Sequence, residues 1–341
     1  MNSSVPNSGL VNSAARIFAL SCIGLAVIFL INNYLIFWRE WPGPLNTIAY
    51  QFGDGPPLQA ELIILGSLQL AFLVFLILGI IFYVKNTPCR SLISESERLS
   101  QLASYLCRGS FWAVLLIGFI DMGISFLRVE DWLSLTFGKE MALELGRSNF
   151  RGVFVHYPLI LTGFIIATRH KGLGFIWLAF LIVIAEFLIV VSRFVFSYEQ
   201  AFMGDLVRMW YAALFLFASA NALVTEGHVR VDVFYANMLP QKKALSNALG
   251  SVVLGLPLCW VILLIGMWDK GSSINSPLRS FEISQQGFGM YIKYLMVGFL
   301  VVFALTMLIQ FCSYFLENLG LFLGEEKEER QTSEPTTSTP A

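Results

Sequence analysis

Charged residues are scarce in this sequence, and so are the side chains that bind metals or haem. Asp, Glu, Lys and Arg make up 13% of the 341 residues, where a soluble domain carries about 25%. The three histidines are far apart in sequence, too few and too scattered for a di-haem cytochrome or a membrane metalloenzyme. The five cysteines form no C-x-x-C pair, so we interpret them as small apolar residues and expect no disulfide or metal site.

Motifs for catalysis and for nucleic-acid binding are absent as well. The sequence has no Walker motif, no G-x-S-x-G and no C-x-x-C-H. A net charge of −1 offers no basic surface for nucleic acid. We therefore predict that the protein is not an enzyme and needs no cofactor.

Apolar residues dominate instead, at 56% of the chain. A helix needs roughly 20 apolar residues to cross a hydrocarbon core of about 30 Å, and lipid cannot hydrogen-bond a bare backbone, so such runs must be helical. We predict an all-α integral membrane protein with about eight transmembrane helices. The predicted spans lie near 17–38, 60–84, 110–127, 153–169, 174–197, 206–224, 245–267 and 290–316.

The chain divides near the turn at 169–172 into two four-helix halves, 1–170 and 171–323. Residues 324–341 are acidic and then rich in Ser, Thr and Pro, which predicts a disordered tail. Lys and Arg are spread almost evenly between the two sides, so the prediction that both termini are cytoplasmic rests only weakly on charge. The 128–152 connection is predicted to be either an interfacial helix or an ordinary structured loop.

Two acids, Asp121 and Glu186, lie deepest within the predicted spans. A charge at the centre of a membrane helix costs about 2.5–3.5 kcal/mol on insertion scales, so each needs an explanation. Arg193 lies two turns beyond Glu186, about 10.5 Å along the helix, which is too far for a direct pair. The acids could relay protons or cations, or they could anchor helix packing through hydrogen bonds. We favour the anchor, because few other titratable groups lie in line with them.

A short charged stretch at 225–235 follows the sixth predicted span. Glu226, His228 and Asp232 have a spacing that a small metal site could use, but an ion-paired cap on the preceding helix explains them more simply.

Several short motifs in the second half, taken in order, resemble a known family. Arg193–Phe196 ends the fifth span with the sequence Arg-Phe-Val-Phe, and Glu226–Asp232 reads Glu-Gly-His-Val-Arg-Val-Asp. Ser280–Ser284 reads Ser-Phe-Glu-Ile-Ser and is followed by Tyr291 and Lys293. Residues 171–320 thereby resemble the DctQ-type small membrane subunit of tripartite ATP-independent periplasmic (TRAP) transporters. The residues singled out as signature or subunit-contact candidates are Arg193, Glu226, Gly227, His228, Arg230, Asp232, Glu282 and Lys293.

The resemblance implies a scaffold subunit of a three-part bacterial importer in the inner membrane. Its partners would be a large DctM-type transport subunit and a periplasmic DctP-type solute-binding protein that captures organic acids. Typical small subunits consist of the four-helix unit alone, so the first 170 residues are an extension of unassigned role. The alternatives are a stand-alone channel or secondary transporter using Asp121, Glu186 and Arg193, and, less favoured, a membrane anchor of a redox enzyme.

Overall fold

Helices account for all the regular structure in the described part of the chain. The computed structural model describes residues 8–325 except 54, 56, 58, 171, 173–174, 199–200, 225–234 and 284–288. The helices in chain order are α1 (Ser8–Arg39), α2 (Pro44–Gln51), α3 (Ala60–Asn86), α4 (Leu92–Val129), α5 (Leu133–Phe137), α6 (Lys139–Leu145), α7 (Ser148–Phe150), α8 (Tyr157–Arg169), α9 (Phe175–Phe196), α10 (Ala201–Val224), α11 (Pro240–Gly250), α12 (Leu256–Met267), α13 (Asn275–Ser280) and α14 (Lys293–Phe322). The prediction of an all-α membrane protein is confirmed.

Eight helical segments among the described residues are long and apolar enough to cross a membrane, as predicted. Six are single helices: α1, α3, α4, α9, α10 and α14. The other two are composite: α7 continues through a π-helical turn into α8, and α11 continues through a second π-helical turn into α12. The longest, α4, has 38 residues and measures about 57 Å. It begins 18 residues before the third predicted span, which starts at residue 110.

The four spans of each half do not pack as separate bundles. Helix α4 of the first half packs along α14 and α10 of the second half as well as along α8. Both apolar cores mix the halves: one joins Leu99 and Cys107 to Leu263 and Leu308, and the other joins Phe111, Val114 and Ile117 to residues of α9, α10 and α14. The extension thus shares its apolar core with the segment that resembles DctQ.

A π-helical turn precedes the proline of each composite span. Arg151–His156 forms the first turn and is followed by Pro158; Ser251–Gly255 forms the second and is followed by Pro257. Proline removes a backbone donor and clashes with the preceding turn, and a wider turn relieves that clash. A proline inside an apolar span predicts a local distortion of the helix. In this structure the distortion is a π-helical turn just before each proline.

Small residues let α4 and α8 approach closely. A Cβ atom placed on Gly163 would lie 2.5 Å from the backbone nitrogen of Ala113 and 2.8 Å from its Cα. Close approach of this kind replaces the hydrophobic drive that is missing between helices in lipid.

We expect Gly163→Ala to lower the free energy of unfolding by about 1–3 kcal/mol, because the two backbones must move apart. Gly123→Ala in α4 is the matched control, since nothing lies within 4 Å of its Cβ position and alanine favours the helix. Detergent-titrated unfolding of the purified chain measures both. Equal stability of the two variants would contradict a tight α4–α8 contact.

The connection between α4 and α8 is built from the short helices α5, α6 and α7. Leu133 and Leu145 are buried, while Leu135 and Leu143 are largely exposed. At the other end of the chain, Glu325 follows α14 and accepts hydrogen bonds from the backbone N–H groups of Leu92 and Ile93, both at 3.1 Å. A carboxylate at a helix N-terminus is stabilising, so Glu325 caps α4. The rest of the predicted tail lies outside the described residues.

Candidate functional site

Asp121 lies at the centre of a fully buried ionic cluster. Its Oδ1 accepts a hydrogen bond from Nη1 of Arg151 at 2.8 Å, and neither side chain is exposed. The same Nη1 lies 3.2 Å from Oγ of Ser125, one turn along α4 from Asp121. Nε of Arg151 donates to the carbonyl of Leu145 at 2.7 Å. The pair is therefore oriented by further hydrogen bonds, as a buried ion pair must be to offset its desolvation.

His156 extends this cluster to the last helix. Its Nε2 lies 3.2 Å from Oδ1 of Asp121, and its Nδ1 lies 2.7 Å from the hydroxyl of Tyr294. Because a carboxylate only accepts, Nε2 donates to Asp121, and Nδ1 shares a hydrogen bond with the hydroxyl of Tyr294. A hydrogen-bonded chain thus runs from α14 through the first π-helical turn to α4.

Tyr291 completes the cluster from the segment before α14. Its backbone N–H donates to Oδ2 of Asp121 at 3.0 Å, and its hydroxyl donates to the carbonyl of Gly146 at 3.0 Å. The guanidinium of Arg151 lies 4.2 Å from the centre of the Tyr291 ring, a cation–π contact, and that of Arg128 lies 4.6 Å from it. Residues on both sides of position 170 are therefore joined by one buried polar network, in which Nη2 of Arg151 has no hydrogen-bond partner among the described residues.

The π-helical turn explains how Arg151 and His156 reach the same carboxylate. In an α-helix, residues five apart point about 140° away from each other. A π-helical turn closes with i to i+5 hydrogen bonds, so residues five apart lie above one another. The turn that accommodates Pro158 also brings both partners to Asp121.

A second buried ion pair joins α1 to α4. Arg16 donates through Nη2 to Oε2 of Glu95 at 2.9 Å and through Nη1 to the carbonyl of Thr87 at 2.7 Å. Its Nη2 also donates to Oγ1 of Thr87, and the hydroxyl of Tyr83 donates to Oε1 of Glu95. Arg90 lies at the rim, 3.6 Å from Glu95. The buried charges of Arg16 and Glu95 therefore pair with each other within the first half of the chain.

A third acid, Asp205 in α10, holds the segment before α14. Its Oδ2 accepts from the backbone N–H of Met290 at 3.0 Å, and its Oδ1 lies 3.3 Å from Nη1 of Arg208. Asp121 and Asp205 therefore fix two successive backbone N–H groups, those of Tyr291 and Met290. This segment is held from both halves of the chain.

The candidate residues Glu282 and Lys293 lie beside each other in the structure. Their side chains form an ion pair, partly exposed, and the backbone N–H of Tyr294 donates to the carbonyl of Glu282 at 3.1 Å. The pair closes the loop between α13 and α14. Glu226, Gly227, His228, Arg230 and Asp232 lie outside the described residues.

Glu186 and Arg193 behave differently from Asp121. Both are exposed on α9, and neither has a hydrogen bond or ion pair to any residue that the structure describes. Asp121 is therefore buried inside the protein, whereas Glu186 and Arg193 lie on its outer surface. A cavity of about 580 Å³ is lined by apolar and aromatic groups such as Trp38, Phe164 and Phe299, and by none of the three. Nothing in the described residues joins them into one polar path.

Sequence reasoning missed Arg151, His156, Arg16 and Glu95 as partners. The predicted span at 153–169 leaves Arg151 just outside the membrane helix, whereas the helix begins at Ser148, three residues before Arg151. The pairing could have been inferred from the depth of the two residues in the membrane. Asp121 lies eight residues before the end of α4, and Arg151 lies one turn into the next span. A charge at that depth is a natural partner for a buried acid.

Comparison with known proteins identifies the second half. The family model described as "Tripartite ATP-independent periplasmic transporters, DctQ component" matches residues 180–317. No curated protein matches the chain, and no solved structure matches it. The matched region begins within α9 and ends within α14, so it takes in the four spans of the second half, while the four spans of the first half precede it. Residues 180–317 thus match the DctQ component of TRAP transporters, and four further apolar helical spans precede them.

Proposed function

We propose that this chain is the small scaffold subunit of a TRAP-type importer for organic acids. In this role it binds a large DctM-type transport subunit and contributes to docking of a periplasmic DctP-type solute-binding protein. The observation that carries the proposal is the DctQ match over residues 180–317. Selectivity and ion coupling then reside in the partner proteins.

The arrangement of charges supports a scaffold role. Asp121, Glu95 and Asp205 are each buried and engaged in hydrogen bonds that join helices. Moving a charge through the protein would require groups that can change partners, whereas these are held by several partners at once. Fixed networks of this type give rigidity.

The proposed orientation puts both termini in the cytoplasm of a bacterial inner membrane. Arg230 and the first turn of α11, which carries Lys242 and Lys243, then lie on the inner side, in agreement with the positive-inside rule. The connection at 268–289 lies on the outer side, where a periplasmic protein docks. Its described residues include α13 and Glu282, which pairs with Lys293 at the start of α14.

Co-purification with the products of flanking reading frames tests the assignment. We expect an affinity-tagged chain to retain a very hydrophobic membrane protein, and vesicles holding both to take up an organic acid only when the binding protein is added. Uptake by this chain alone would support the stand-alone transporter instead. Recovery of a redox enzyme would support the membrane-anchor alternative.

The charged stretch at 225–235 is proposed to bind the large subunit. We expect Arg230→Glu to reduce recovery of that subunit about tenfold, because loss of a charge-assisted hydrogen bond costs about 1.5–3 kcal/mol. Lys242→Glu is the matched control, since Lys242 is exposed on α11 and carries the same charge change. Equal recovery with both variants, with unchanged uptake, would remove the assembly role of Arg230.

A further inference from the structure

Helix α9 contacts the rest of the described structure along one narrow stripe. Leu178, Ile182 and Ala185 are buried, and the helix packs mainly against α10. Most other side chains of α9 are exposed. The exposed apolar side chains are those of Ile176, Trp177, Phe180, Val183, Phe187, Leu188, Val190, Phe194, Val195 and Phe196.

Glu186 lies in the middle of this exposed surface. It is 11 residues from Phe175 and 10 residues from Phe196, which is about 15 Å of helix in each direction. A glutamate side chain cannot reach either interface from that depth. If only lipid covered α9, the carboxyl group would lie in hydrocarbon.

Glu186 has no internal explanation of the kind found for the other acids. Asp121, Glu95 and Asp205 each meet donors within the chain, whereas Glu186 meets none among the described residues. Protonation would not remove the problem, because a neutral carboxyl group still has a donor and an acceptor to satisfy. An intramembrane acid without a partner is costly and marks a functional contact.

Arg193 adds a second charge to the same edge of the helix. Residues seven apart share a face of an α-helix, and Val190 lies between them one turn from Glu186. Along this edge, an acid at mid-membrane depth is followed by a base near the end of the span. The edge is therefore polar at two heights and aliphatic between them.

We propose that the α9 edge formed by Val183, Glu186, Val190 and Arg193 is the surface that receives a transmembrane helix of the large subunit. That helix presents a hydrogen-bond donor or a base opposite Glu186 and an acceptor or an acid opposite Arg193. The inference rests on the proposed function and specifies which surface of the chain the large subunit occupies. A hydrogen-bonded contact of this type satisfies Glu186 without exposing it to lipid.

Co-expression of tagged chain and large subunit tests the proposal. We expect Glu186→Leu and Val190→Trp each to reduce recovery of the large subunit at least tenfold, equivalent to about 1.4 kcal/mol. Glu186→Gln keeps a donor and an acceptor and should lose less. Leu188→Trp is the matched control: Leu188 and Val190 are 47% and 49% exposed, but residues two apart in a helix do not share a face.

The isolated chain provides the second measurement. Glu186→Leu should leave its unfolding midpoint unchanged or raise it, because Glu186 has no partner within the described chain. A fall in that midpoint, with recovery of the large subunit unchanged, would show an internal role and overturn the proposal. So would a homodimer that Glu186→Leu dissociates, since a second copy would then occupy the edge.

The outcomes separate this proposal from the function on which it rests. If the unmodified chain does not retain the large subunit, the scaffold assignment fails and the proposal with it. If the unmodified chain retains it and Glu186→Leu and Val190→Trp retain it equally well, the scaffold assignment stands and the α9 edge is not the contact.

Discussion

Replacing Arg151 with leucine should lower the free energy of unfolding by about 3–5 kcal/mol, the usual cost of removing one partner from a buried ion pair. Asp121 would keep His156 and the backbone N–H of Tyr291, but at a fully buried position it would lose the guanidinium group that pairs with its carboxylate. Unfolding of the purified chain by detergent titration, followed by tryptophan fluorescence, measures the loss.

Arg147→Leu is the control for this prediction. Arg147 pairs with Glu144 at 2.7 Å, but the two side chains are 69% and 39% exposed, so the change should cost no more than about 0.5 kcal/mol. The double variant Asp121→Leu/Arg151→Leu should recover much of the stability, because no unpaired charge remains. A loss for Arg151→Leu as small as that for Arg147→Leu would show that the buried Asp121–Arg151 pair does not stabilise the fold.

The second large effect is expected for Glu95→Leu, again about 3–5 kcal/mol. Arg16 is buried, and the substitution leaves its charge with only the backbone carbonyl and hydroxyl of Thr87 as acceptors. The same detergent titration measures the change in unfolding free energy.

Arg90→Ala provides the comparison within the same cluster. Arg90 lies at the rim and is farther from Glu95, so its loss should cost about 0–1 kcal/mol. Arg16→Met combined with Glu95→Leu should restore most of the stability lost by Glu95→Leu. If that double variant were as unstable as Glu95→Leu alone, the destabilisation would come from lost packing and not from the unpaired arginine.

These two clusters bear on the proposed function through the extension. A small subunit of the DctQ type is expected to need four spans, and this chain adds four more. Of the extra spans, α4 lies against α10 and α14, and α1 lies against α14. Asp121 binds the backbone of Tyr291 just before α14, and His156 binds Tyr294 in its first turn. The extension therefore packs against one side of the segment that matches DctQ, and most of α9 remains exposed.

The contrast between Asp121 and Glu186 shows where sequence reasoning stops. Both are single acids inside apolar runs of similar length, and the same anchor interpretation was applied to both. In the structure Asp121 is fully buried and hydrogen-bonded to three residues, Arg151, His156 and Tyr291, whereas Glu186 is exposed on α9. In a soluble helix a polar face marks solvent, but a membrane helix is apolar toward both lipid and protein. The apolar pattern therefore carries little information about which face is buried.

The sequence by itself determined the eight helical spans, the all-α class and the DctQ-like order of motifs. Those features are local: the length of an apolar run and the need to satisfy backbone hydrogen bonds in lipid decide them without reference to the rest of the chain. The tertiary structure alone decided that Asp121 pairs with Arg151, that Arg16 pairs with Glu95, and that the halves share their cores. Such pairings depend on how helices distant in sequence rotate and pack, and at Arg151 and His156 on a π-helical turn that brings two side chains to one carboxylate.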